Sequence, residues 1–144
     1  MTIALVLLVK DEADIIESNL RWHRSLGIDQ IMVTDNGSTD GTLEILEAWE
    51  RAGHIKLLKN DGPFRQDDLT TEMIQMALQA WSPSWVISGD ADELFAPRTG
   101  NLLDELEASP HSLLRVPTTN FIPTAYDDLG VADPVCRMQH RVAR

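Results

Sequence analysis

Asp90-Ala91-Asp92 sets two carboxylates either side of one small residue, directly after the apolar run Trp85-Val86-Ile87. Two ionised carboxylates ~4 Å apart repel by about 4 kcal/mol at an effective dielectric of about 20. A hard divalent cation removes that repulsion. Mg²⁺ takes one or two protein carboxylates and fills its other positions with water and phosphate oxygens. The spacing therefore predicts a metal site built on Asp90 and Asp92 and completed by a phosphorylated ligand. The plainer alternative is a solvated acidic turn.

Two further polar clusters follow apolar runs. In Asp35-Asn36-Gly37-Ser38 the Asp35 carboxylate can accept the N3–H of a uracil ring or bond a ribose hydroxyl, and Gly37 leaves room for a flat base. The alternative is a strand-to-helix turn in which Ser38, Thr39 and Asp40 cap the next helix. Lys10-Asp11-Glu12 can line the same nucleotide pocket through Lys10 and Glu12. Otherwise it is a charged helix start, with Asp11 and Glu12 facing the positive end of the dipole. Arg65, Arg137, His140, Arg141 and Arg144 are candidates for pairing with phosphate. Asp127, Asp128 and Asp133 are candidates for a base that activates an acceptor hydroxyl, with nothing in their spacing to single one out. Asn19 and His23, four apart on an apolar helix face, read as satisfied polar groups packed against the sheet, with a ligand role as the alternative.

The elements that must position these residues alternate. Ile3–Val9 is a continuous apolar run, as in a strand covered on both faces. Asp11 to Leu26 has helical periodicity, with Ile15, Ile16, Leu20, Trp22 and Leu26 on one broad face, and Gly27 stops it. Strands are predicted over 29–34, 55–59 and 85–88. Helices are predicted through Leu43–Ala52 and Leu69–Ala80. Beyond Phe95 a short helix from Asn101 to Glu107 is expected, then a strand over Leu113–Val116 and a loop from Pro117 to Pro134. The βαβαβαβ order predicts an α/β fold with a mostly parallel sheet and right-handed crossovers. Ligands of such sheets bind at the carboxyl ends of the strands. All three polar clusters lie at such ends, so they are expected to converge.

Bulk properties narrow the chemistry. The 144 residues fit one domain, 1–144, and can bury a core. Acidic side chains number 23 against 12 basic ones, a formal net charge of −11, which argues against nucleic acid as a partner. A phosphorylated ligand would meet an unfavourable field unless a cation bridged it to the protein. Cys136 is the only cysteine, which fits a reducing, cytoplasmic setting. Ile3–Val9 is too short for a membrane span, and no positive charge precedes it as in a signal peptide. There is no Gly-x-Gly-x-x-Gly, P-loop, zinc-ligand spacing or Gly-x-Ser-x-Gly elbow.

The stretch LLVKDEADIIESNLRWHRSLGIDQIMVTDNGSTDGT, followed by WVISGDADELFAP, resembles the family 2 glycosyltransferases. It is most similar to their subgroup with a Val-Lys-Asn/Asp-Glu opening and an Asp-Ala-Asp-Glu metal motif. The resemblance implies a GT-A (Rossmann-like) three-layer α/β/α fold. It implies transfer of a sugar from a nucleoside diphosphate donor, UDP- or GDP-linked, usually with inversion and with Mg²⁺ or Mn²⁺. By the resemblance Asp35 would contact the base or ribose, and Asn36 stands where the family has a second aspartate. Asp92 would ligate the metal, Asp90 the ribose or the metal's waters, and His140 would stand in for a late metal-binding histidine. The family's catalytic carboxylate lies further along a longer chain, so a truncated or minimal domain is expected here, and a homodimer is among the expected partners. Two rivals stay open. One is a non-catalytic module that binds nucleotide sugar or a protein. The other is a phosphotransferase using Asp-x-Asp as nucleophile and acid, although haloacid-dehalogenase-like enzymes carry that motif after the first strand rather than the fourth.

Overall fold

The structure, a computed structural model, describes residues 1–63, 65–98 and 100–141. Four strands, β1 (Ile3–Val9), β2 (Gln30–Asp35), β3 (Lys56–Lys59) and β4 (Trp85–Gly89), form one sheet in the order β3-β2-β1-β4. All three pairings are parallel. The connections are α1 (Ile16–Ser25), α2 (Thr42–Arg51) and α3 (Gln66–Trp81), followed by α4 (Leu102–Glu107) and α5 (Pro134–Arg137).

Side chains of β1 alternate between two cores, which makes the fold three-layered. Ile3, Leu5, Leu7 and Val9 join Ile31, Val33 and Leu57 under Ile16, Leu20, Leu46, Leu102 and Leu106 of α1, α2 and α4. Ala4, Val6, Leu8 and Met32 face Met73 and Ala77 of α3 on the other side. Every residue of β1 is buried, as its unbroken apolar run requires. The expected α/β/α class and parallel sheet are therefore present.

Several local expectations are corrected. α1 begins at Ile16, not Asp11, because Asp11 takes a left-handed conformation (φ 55°) and a turn over 12–15 intervenes. Trp22 is only partly covered on that helix, being 37% exposed. β4, at the sheet's edge, is half-buried. Leu113–Val116 forms no strand, and Leu113 is 86% exposed. Within the expected 117–134 loop and just past it, Asp133 caps α5 by accepting from Val135 N at 2.9 Å. Phe121 and Arg141 form an antiparallel bridge. No helix among the described residues is long and apolar enough to cross a membrane.

Candidate functional site

The parallel register sets the spacing of the site. Asp35 ends β2 opposite Val9, and Gly89 ends β4 opposite Leu7. Asp35 and Asp90 thus leave the sheet on either side of β1, two strand spacings or about 10 Å apart. The backbone of Asp35 and its successor is clamped from both sides: Asn36 N donates to Val9 O, and Asn60 N donates to Asp35 O, both at 2.9 Å. Its side chain is buried, 3% exposed. Oδ2 accepts from Gly37 N (3.1 Å) and Ser38 N (3.2 Å). Oδ1 is buried and has no hydrogen-bond partner among the described residues. An unmatched buried acceptor costs roughly 1–3 kcal/mol, so this oxygen is suited to a donor brought by a ligand. Asn36 is also buried, and its Oδ1 accepts from Asn60 Nδ2 at 2.5 Å.

The loops after β1 and β2 are stitched together. Asp11 N donates to Ser38 Oγ (2.9 Å), Glu12 N to Thr42 Oγ1 (2.8 Å) and Ala13 N to Asp40 Oδ2 (3.0 Å). In return Asp11 Oδ1 accepts from Thr39 N at 2.7 Å. Ser38 and Thr39 therefore bridge loops, and only Asp40, accepting from Thr42 N at 3.0 Å, also serves the start of α2. Asp11 likewise serves the neighbouring loop rather than the dipole of α1, which starts only at Ile16.

Glu12 ties this layer to the β4 end. Burial lifts its carboxyl above the usual range, and the negative charges of Asp92, Asp14, Asp40 and Asp90 add to the effect. Asp90 and Asp92 are exposed, while Ala91 between them is buried in the core. That alternation sends both acids outward. Asp90 Oδ1 accepts from Gln66 Nε2 at the start of α3 (3.3 Å), and Asp90 N donates to Glu93 Oε2 (3.2 Å). Gly89 is required here, since an added Cβ would lie 2.7 Å from the Phe95 ring. Among the described residues no group of three or more His, Cys, Asp or Glu could hold a metal by itself. A cation at Asp90 and Asp92 would draw its other ligands from outside the protein, which fits a diphosphate.

The remaining candidates are distributed as follows. Lys10 is exposed after β1. Arg65 pairs with Asp68 at 3.1 Å beside the α3 start, where Arg65, Gln66, Asp67 and Asp68 line a hollow of about 400 Å³. Asp127 accepts from Thr124 N (2.9 Å) and Thr124 Oγ1 (3.0 Å) and lies 3.5 Å from His140 Nδ1. The Thr124 amide, then the Thr124 hydroxyl and His140, hold its carboxyl below the ordinary range despite some opposing desolvation. Asp128 Oδ1 accepts from Gly130 N. Burial works to raise the Asp133 carboxyl, but bonds from Ser18, Val135 and Cys136 bring it below the usual value. All three acids thus build local turns. Arg137 Nη1 donates to Val131 O, and Arg144 lies outside the described residues.

Asn19 and His23 are fully buried and satisfied, as expected. Their partners are the backbone of residues 90–95, not the sheet. No periodicity could have revealed this, because those partners are backbone groups more than 70 residues away. Desolvation lowers the His23 pKa to about 4 against the opposing effect of its hydrogen bond to the Asn19 carbonyl, so the ring is neutral near pH 7.

The family described as "Glycosyl transferase family 2" matches residues 11–127. Among solved structures the chain is similar to the crystal structure of S. aureus TarS 1-349, with a TM-score of 0.46 and 20% identity over 64% of this chain and 28% of that one. For the crystal structure of S. aureus TarS the values are 0.47 and 20%, over 64% and 17%. The chain spans less than a third of either. No curated protein matches.

Proposed function

The chain belongs to glycosyl transferase family 2, and on that premise we propose that it binds a UDP- or GDP-linked sugar and transfers the sugar to an acceptor hydroxyl, with inversion. Asp35 takes the base or ribose through its unpartnered Oδ1, and this orphaned acceptor is the observation that carries the reading. Asn36, Lys10, Glu12 and Arg65 line the nucleotide. Asp90 and Asp92 hold Mg²⁺ or Mn²⁺, with His140 as a further candidate ligand. A bound cation would supply positive charge to offset the negative charge of the departing diphosphate. The protein's own part is to hold base and diphosphate at the strand ends on either side of β1, and to place a carboxylate, from among Asp127, Asp128 and Asp133, to take the acceptor's proton. A single domain in a cytoplasmic setting, able to pair as a homodimer, belongs to the same proposal.

Calorimetric titration with UDP, GDP and ADP, with and without Mn²⁺, tests it. Metal-dependent binding with UDP or GDP ahead of ADP is expected, as is slow donor hydrolysis that disappears in Asp92→Asn. Equal binding of all three without metal would sink the reading. Metal-dependent donor binding with no turnover would favour a non-catalytic nucleotide-sugar module.

A further inference from the structure

Helix α1 turns three side chains toward one loop. Asn19, Trp22 and His23 stand at i, i+3 and i+4, neighbours on one helix face. Asn19 Nδ2 donates to Ala91 O at 2.7 Å and Glu93 O at 2.9 Å, with Asp90 O at 3.4 Å. Trp22 Nε1 donates to Phe95 O at 2.6 Å. His23 Nε2 accepts from Phe95 N at 3.3 Å. This pattern assigns the ring proton to Nδ1, which donates to Asn19 O (3.0 Å) and Oδ1 (2.9 Å). With its Oδ1 engaged by His23, the Asn19 amide must present its donor side to the loop. The loop contains no regular element; Glu93 N donates to Asp90 O at 3.1 Å, Asp90 N to Glu93 Oε2 and Gln66 Nε2 to Asp90 Oδ1, so its bonds outside α1 gather at Asp90 and Glu93 and leave the 91 and 93 carbonyls and the 95 amide to α1.

We infer that Asn19, Trp22 and His23 are positioning residues for Asp90 and Asp92. They fix the backbone that carries the two carboxylates and so set affinity for the divalent cation without touching it. The inference rests on the proposed cation role of those aspartates. Two adjacent polar side chains with no exposure are costly to desolvate, and an apolar pair would pack the helix as well. What the polar pair adds is placement of the loop's carbonyls at 91 and 93 and its amide at 95.

The test measures Mn²⁺ binding by electron paramagnetic resonance with UDP or GDP present, alongside amide-resolved hydrogen exchange. In Asn19→Ser, Mn²⁺ affinity should fall on the order of 10–100-fold, as is usual when a supporting partner is removed. The Glu93 and Phe95 amides should exchange faster while β1 and α3 keep their protection. Trp22→Phe, at a partly exposed position, should shift both readouts in the same direction by less, and it decides the matter if Asn19→Ser does not fold. Unchanged Mn²⁺ affinity in these variants, or protection lost equally across β1 and α3, overturns the inference. Asp92→Asn separates the two levels: it should abolish Mn²⁺ binding and leave loop exchange as it was. Wild-type protein that takes up no Mn²⁺ would overturn the cation reading itself.

Discussion

At the scale of single residues, Asp35 and Gly89 carry opposite demands. Asp35 has one oxygen used by two amides and one left over. Asp35→Asn keeps an acceptor for the amides and replaces the spare oxygen with a donor. Thermal stability should change little, while nucleotide affinity should drop by about 1.5–3 kcal/mol, the worth of a hydrogen bond to a charged group; paired melting and calorimetry measure both. Gly89 has no room for a methyl group beside Phe95. Gly89→Ala should cost about 1–3 kcal/mol in chemical denaturation by overpacking, and should weaken metal binding as well. The placement of Asp35 and Asp90 at strand ends was legible from the apolar runs that precede them. The role of Asn19 and His23 was not, since a backbone carbonyl 72 residues away leaves no trace in composition.

Among the elements, β1 was the most readable, because a strand covered on both faces must be apolar throughout and Ile3–Val9 is. The start of α1 was misplaced by five residues. Asp11 to Asp14 continue the helical pattern, but Asp11 is left-handed and the amides of Asp11, Glu12 and Ala13 are claimed by Ser38, Thr42 and Asp40 from the neighbouring loop. Long-range bonds of this kind override local periodicity. They also yield a prediction. Thr42, with no exposure, accepts from Glu12 N and donates to Asp40 Oδ1 at 2.6 Å. Thr42→Val keeps the shape and strands the Glu12 amide, so urea unfolding should show a loss of about 1–3 kcal/mol. No measurable loss would mean water reaches that amide.

For the whole molecule, charge and burial oppose each other as pH falls. A net charge of −11 repels itself near neutrality, and partial protonation of carboxylates relieves it. His23 acts the other way. Its pKa is about 4 folded against 6.5 as the ordinary value, so between these pH values the unfolded chain binds the extra proton. The His23 contribution is whole above pH 6.5 and falls as pH drops toward 4, by about 3 kcal/mol in all. Denaturation curves for wild type and His23→Gln between pH 7 and 4 should converge as acid is added; parallel curves would show that the ring is protonated in the fold.

The sheet's two rims are guarded unequally. β3 on one rim is short and ends in Lys56 and Lys59, both exposed. β4 on the other carries no charge from Trp85 to Gly89 and has no strand beyond it among the described residues. An uncharged rim with no paired strand among the described residues is a template for a further strand. Concentrated solutions should therefore associate through β4, and a lysine placed in that strand at a solvent-facing position should keep the copies apart.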